Sequence, residues 1–419
     1  MNFEFLKINS VIYYLLIFAF ILFPFLGILS IHSNLFVGYR YLSLILIIAL
    51  SIFLIPFYKQ RLSLPKEQII FFFYVLYCSL HFIGDVSSPL ILDGFRYELV
   101  YMLMALFFLF LPFNTLPNLK LLSKIIYVQG LIVIFFSFWQ LYDISILEVL
   151  YKSNLEDIGD IKLAIGYRLV SLLENPINLG AFFIIVFISI NYYKEYFEKL
   201  WFLWFQVLTL VILLLVFATL SRLALLSFIA VLTVYLLKNQ SSMKIIFFIL
   251  IFSTLLLVAT YFLYEEYGYL FLRFEKLTSL AEYTENSRLS NWSDAISKLN
   301  LQFLWGLGLG ASTPTYSKQV LYGGIQVENS FITILIQFGF IGLIMYLLVI
   351  YRFFKLSKLI NKYDKNSSTF ILLFVVFFIT MSLGNDFNRN SPFVFYFWFF
   401  YAYSEKLFYY YKLRFGDNK

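Results

Sequence analysis

The chain has 419 residues, 62% of them hydrophobic and only 13% charged, with a formal net charge of +7. Soluble domains carry about 25% charged residues, so this composition excludes a core surrounded by water and makes lipid the solvent for most of the chain. A single cysteine, Cys78, excludes an intrachain disulfide, and the two histidines, His32 and His81, stand in no metal-ligand spacing.

Apolar runs long enough to cross the ~30 Å hydrocarbon layer recur along the whole sequence. Each is expected to be helical, because lipid offers an unpaired backbone no hydrogen-bond partner. Twelve spans are predicted, near 11–30, 40–57, 68–84, 97–113, 121–141, 177–193, 200–219, 221–238, 244–263, 327–350, 368–384 and 392–411. The first lacks a small-residue cleavage site and is read as a retained helix, not a signal peptide. The runs 200–219 and 221–238 meet at Ser221-Arg222. Their joint length exceeds one crossing and so demands a hairpin. The whole reads as an all-α polytopic membrane protein, one integral membrane domain over 1–419.

Charge gives the expected orientation. With the N-terminus in the cytoplasm, most of the 31 basic residues fall on the inner side, among them Lys59, Arg61, Lys120, Lys194, Lys355, Lys358 and Lys412, whereas most acids fall outside. That is the positive-inside bias, and it places both termini in the cytoplasm. It also accounts for the basic balance without nucleic acid, since cations flanking helices face anionic lipid heads. Two long segments, 142–176 and 264–326, are then extracytoplasmic loops. In the second, Leu289, Trp292, Ile296, Leu299 and Phe303 recur at helical spacing and predict a helix from about residue 286 to 303.

Four arginines on the outer side stand in suggestive settings: Arg168 before Glu174-Asn175-Pro176, Arg222 in the hairpin Thr219-Leu220-Ser221-Arg222, Arg288 at the start of the loop helix, and Arg389 in Asn385-Asp386-Phe387-Asn388-Arg389. A guanidinium offers a planar fork of donors that matches phosphate oxygens, so several together would suit a pyrophosphate head group. Each alone also reads as a side chain snorkelling to the interface or pairing with a neighbouring acid. Glu328 stands at the start of the predicted 327–350 helix, either as a carboxylate favoured by the helix dipole or as a general base at the membrane surface. Gly339 and Gly342 are expected to allow close helix packing. Gly306, Gly308 and Gly310 follow no strand and precede no Lys-Ser/Thr, so they read as a flexible turn and not as a nucleotide loop.

In this order the pieces resemble the C-terminal signature of bacterial O-antigen polymerases and ligases. The ligase pattern is His-Asn, nine residues, then Gly-x-x-Gly; here Glu328-Asn329 is followed by nine residues and Gly339-x-x-Gly342. Arg168 with Asn175-Pro176 and Gly180, Ser221-Arg222, Ser287-Arg288, Trp292 and the 306–310 glycines agree in order, over about 165–350. Glutamate in place of the ligase histidine favours the polymerase (Wzy-type) branch. The resemblance implies a GT-C-like glycosyltransferase with long outer loops in the bacterial cytoplasmic membrane. It implies a substrate of undecaprenyl-pyrophosphate-linked oligosaccharide, built into O-antigen or capsule-type polysaccharide, and no cofactor, metal or nucleotide. Glu328 becomes the catalytic candidate, Arg168, Arg222, Arg288 and Arg389 the pyrophosphate ligands, and Asn329, Asn175 and Trp292 weaker substrate contacts. A chain-length regulator and a flippase become the expected protein partners. Two alternatives stay open: a ligase-type transferase, and a transporter or flippase of lipid-linked sugars, against which the lack of matching halves counts.

Overall fold

The computed structural model describes residues 3–416 apart from 37, 55–67, 84–85, 154, 156–161, 164–165, 194–200, 240–287, 313–320 and 326. The architecture is helical. In chain order the helices are α1 (Phe3–Leu22), α2 (Leu26–His32), α3 (Tyr39–Leu54), α4 (Ile69–Leu80), α5 (Ser88–Gly94), α6 (Val100–Phe110), α7 (Leu119–Tyr142), α8 (Ile146–Tyr151), α9 (Pro176–Tyr193), α10 (Trp201–Ala218), α11 (Arg222–Asn239), α12 (Arg288–Ser297), α13 (Ser330–Ile360), α14 (Lys365–Ser382) and α15 (Phe393–Phe415). The only extended pairing among the described residues in named strands joins Lys162–Leu163 to Gly166–Tyr167. Among the described residues, six helical stretches are long and apolar enough to span a bilayer: 8–32, 34–54, 113–142, 176–193, 330–360 and 365–382. Shorter apolar helices lie beside them, so this is a multi-pass membrane protein. Eleven of the twelve predicted spans coincide with helices; the twelfth, 244–263, lies outside the described residues.

Side-chain caps fix several helix starts. Asn118, Asn329 and Asp364 accept bonds from the first-turn amides of α7, α13 and α14. Asn175 accepts from Ile177 N at 2.8 Å, and Pro176 opens α9, where a proline's missing N–H costs nothing. The predicted hairpin at 219–222 is present, with Leu220 in the left-handed region (φ 52°).

Helix α15 is the hub. Residues Phe393 to Glu405 are buried on every face, as expected for a helix with no polar side. Aromatic rings from four other helices close on it: Phe20 against Phe395 and Phe399, Phe71 against Trp398 and Tyr401, Phe353 against Phe397 and Tyr401, and Phe374 against Phe400. Towards one end of the bundle, Arg352 holds Glu405 through two bonds of 2.7 and 2.9 Å. There too, Lys238 donates to Ser368 and Tyr411 to the capping Asp364.

Helix α13 departs most from the sequence expectation. It starts at Ser330 and not 327, runs on to Ile360, and is broken at Gly339 (φ 64°, ψ −171°). A break frees the carbonyls of 336, 337 and 338 and the amides of the residues that follow. The segment after α12 repairs it. Leu307 N and Gly308 N donate to the carbonyls of Ile336 and Gln337, Phe340 N and Ile341 N donate to those of Phe303 and Leu304, and Tyr77 Oη donates to Phe338 O. The 306–310 glycines therefore form a docked turn, not a flexible one. All three have positive φ, and a Cβ on Gly306 or Gly339 would strike the backbone of the opposing segment.

The loop helix is also shorter than expected. Helix α12 ends at Ser297 and a single 3-10 turn follows at Asn300–Gln302. Of the predicted stripe, Leu299 is buried with Ala295 in a small separate core, Trp292 packs against that core, and Ile296 and Phe303 stay exposed; the side chain of Leu289 lies outside the described residues.

Gly339→Ala adds a Cβ where the Leu304 carbonyl lies and forces alanine into a glycine-only conformation, a strain of about 1–3 kcal/mol before any clash is counted. We expect a lower Tm for the detergent-solubilised variant. Gly38→Ala, where nothing lies within 4 Å of the new Cβ, should leave Tm unchanged.

Candidate active site

One end of the bundle holds a cavity of about 450 Å³. Its wall is drawn from five separated segments: the turn after α1 and the start of α2 (Phe23, Gly27), Tyr97, residues 172–178, Val327-Glu328, and 385–392. Every one of these segments lies on the side that the charge bias assigns to the exterior.

The floor of this region is a buried ionic cluster. Glu98 sits in a π-helical turn, Phe95–Leu99, between α5 and α6, and no part of its side chain is exposed. Such turns are rare and concentrate at functional sites. Glu98 Oε1 accepts from Arg389 Nε and from Gln337 Nε2 at 2.7 Å. Gln337 Oε1 in turn accepts from Gly310 N at 2.6 Å, which ties the cluster to the glycine turn. Arg389 Nε lies 3.4 Å from Asp386 Oδ2, and Arg389 Nη1 donates to Ser312. Thr333 Oγ1 donates to Asp386 Oδ2 at 3.1 Å.

Two carboxylates thus face one guanidinium. Burial pushes the Asp386 carboxyl from 3.8 up to about 6; Glu98 adds to the rise, and Arg389 with the Thr333 and Ser330 hydroxyls opposes it. The 12% of its side chain still open to the cavity tempers that rise.

Glu328 is exposed on the cavity wall and lies outside α13. The helix cap belongs to Asn329, whose Oδ1 accepts from Phe331 N at 2.9 Å and Ile332 N at 3.1 Å while its Nδ2 donates to Leu383 O. The expectation that Glu328 opens the helix is therefore corrected by two residues, and the N-cap position is held by Asn329.

The other candidates fall in three places. Asn175 and Arg389 line the same cavity as Glu328. Arg168 is buried, with Nε donating to Thr219 O at 3.2 Å, so it backs onto the hairpin that carries Arg222. Gln140 pins that segment by donating to Arg168 O and accepting from Val170 N and Ser171 N. Arg222 opens α11, and its neighbour Leu223 packs on Gly384 beside the cavity-lining 385–392 segment. Neither Arg168 nor Arg222 is among the residues that line the cavity. Arg288 opens α12, and its side chain lies outside the described residues. Trp292 packs on the small core and does not line the cavity.

Sequence reasoning passed over Glu98, Glu174, Asp386 and Tyr97. The signal for Glu98 was available: an ionisable residue at the edge of an apolar span is expensive to bury and marks a functional or paired position.

Residues 207–347 match the family model described as O-antigen ligase. That stretch, about a third of the chain, is similar to the O-antigen polymerase/ligase family. The matched region runs from α10 through Glu328 and the Gly339 break; Arg168, Glu98 and Arg389 lie outside it. No curated protein matches the chain.

Asp386 supplies a pH test. Its folded-state value lies above 3.8, so folding takes up a proton; the stability this group contributes is fully present below about pH 4 and is lost as pH rises through about 6. Asp386→Asn cannot titrate. The wild-type chain should therefore gain up to about 3 kcal/mol relative to that variant between pH 7 and pH 4, read as a converging or reversing difference in Tm. A pH-independent difference would place the carboxyl at its ordinary value.

Proposed function

We propose that the protein joins lipid-linked oligosaccharide repeat units into a longer glycan at the outer face of the bacterial cytoplasmic membrane, with both termini in the cytoplasm. The observation that carries this reading is Glu328 on the wall of a polar cavity, one residue ahead of the helix cap, within a region similar to the O-antigen polymerase/ligase family. An acceptor hydroxyl attacks the anomeric carbon of the donor glycan. Its proton passes to the Glu328 carboxylate, and the bond from that carbon to the pyrophosphate of undecaprenyl pyrophosphate breaks. The donor is already activated, so the step calls for no nucleotide and no metal.

Negative charge develops on the departing pyrophosphate, and fixed cationic donors stabilise it most where water is excluded. We assign that task to Arg168, Arg222 and Arg288. Arg389 is assigned to the cavity wall instead, because Glu98 and Asp386 already balance its charge. The cavity wall, with carboxylates, the amides of Asn175 and Asn178 and the Tyr97 ring, suits the hydroxyls and apolar face of an acceptor sugar.

Glu328→Gln keeps the shape and removes the base, and positioned bases typically contribute about 10²–10⁴-fold, so glycan polymerisation should fall by that order at matched expression. Near-normal long chains from this variant would end its role as base. Arg168→Lys, Arg222→Lys and Arg288→Lys each keep the charge and lose the two-pronged fork, and each should depress chain formation; normal polymer from all three would remove the arginine argument.

The family match itself favours a second reading, transfer of a finished glycan to a lipid acceptor, because the matching model is described as O-antigen ligase. The glycans of a deletion strain separate the two. Loss of a polymerase leaves single repeat units, whereas loss of a ligase leaves long chains on the carrier.

A further inference from the structure

The segment that repairs the break in α13 is itself apolar and outward-facing. Leu301 is 99% exposed, Trp305 59% and Leu304 52%, and Phe303 is also exposed. Such residues side by side on a water-facing loop would be a costly patch. Their surroundings are not those of a water-facing loop. Phe303 stacks on Phe340 with ring centroids 5.8 Å apart. Phe340 begins an exposed stripe on α13 that continues through Ile344, Leu347, Leu348 and Tyr351. On the other flank, α4 exposes Phe73, Leu76 and Leu80, and Ile83 beyond it is 88% exposed. His81 binds the segment to α4: its Nε2 lies 2.7 Å from Trp305 O, and its carbonyl accepts from Leu309 N at 3.1 Å. The patch is thus continuous with the outward apolar faces of two membrane helices.

Depth follows from α13. Exposed Lys355 and Lys358 mark its basic end. About 20 residues cross the hydrocarbon layer, and that many counted back from Lys355 reach Leu335. The loop bonds to residues 336–341, just inside that limit. Irregular backbone is tolerated at such depth only where its polar groups are paired, and the five groups freed by the break are paired here. Gln302 is the one exposed polar side chain among residues 301–305, and polar exposure continues at Lys298 and Asn300, where the chain enters the loop, as headgroup contact requires.

We propose that residues 301–305 form a re-entrant tip that dips into the cavity-side leaflet, with Leu301, Leu304 and Trp305 against the acyl chains of bilayer lipid. The tip is shallow, and it belongs to the 264–326 segment that charge alone would leave wholly in water. This inference is independent of the chemistry assigned to the cavity.

The test uses the full chain in lipid nanodiscs. Single cysteines replace Leu304 or Trp305 in the Cys78→Ala background, with Ser297→Cys as the water-facing control, and each carries an environment-sensitive fluorophore. Labels at 304 and 305 should lose emission when the lipids carry bromine on their acyl chains and keep it in aqueous iodide, while the label at 297 does the reverse. Unlabelled protein gives a second reading: the difference in tryptophan emission between wild type and Trp305→Phe should be quenched by the brominated lipid. Iodide quenching at 304 and 305 would return the tip to water. Protection from both quenchers would mean that protein covers it. Either result overturns the proposal.

Discussion

The structure depends on a helix that is interrupted and then made whole by another part of the chain. At Gly339 the α13 ladder loses its continuity inside an apolar layer, where an unpaired amide or carbonyl costs several kcal/mol. Backbone from residues 303–308 supplies the missing partners and Tyr77 supplies one more. The two glycines at 306 and 339 allow the two backbones to approach that closely. Neither segment could hold its conformation in lipid without the other. The signature glycine and the glycine turn are therefore two halves of one device.

That device reaches the cavity through a short relay of contacts. Gly310 N binds Gln337, Gln337 binds Glu98, and Glu98 binds Arg389 on the cavity wall. Breaking a buried ion pair from one side leaves an uncompensated charge and typically costs about 3–5 kcal/mol. The wall is accordingly stiff at this point. Two further lining residues, Glu174 and Glu328, are carried on segments just ahead of the caps of α9 and α13, so their carboxylates sit on backbone whose direction is set by Asn175 and Asn329. A wall fixed by paired charges and by helix caps is what a site needs if two sugars must meet in one orientation.

Much of the helical layout was legible because lipid permits few alternatives: an apolar run of sufficient length must be a helix. The 200–219 and 221–238 hairpin followed from length alone and is present at Thr219-Leu220. Boundaries were less legible where a side chain, and not hydropathy, sets them. Asn329 starts α13 two residues after the apolar run begins. The break at Gly339 was hidden because one glycine in an apolar run reads as a packing position. The ionic cluster was hidden for a different reason. Glu98 and Arg389 are 291 positions apart, and no local pattern joins them. Arg168 was singled out for its charge, whereas its observed bond to Thr219 O depends on tertiary packing.

The division of labour between residues 328 and 329 has a consequence for how such proteins diverge. The Asn329 side chain accepts the first-turn amides of α13 and also donates to Leu383 O, so the cap is supplied by the residue after position 328. Position 328 faces the cavity with its backbone already placed. On the reading proposed above, in which Glu328 accepts the proton, a lineage can exchange glutamate for histidine there, as the ligase pattern does, while Asn329 keeps the cap of α13 in place. On that same reading, the scaffold stays fixed while its reagent changes, and one architecture can serve several glycan-transfer reactions through substitution at a single site.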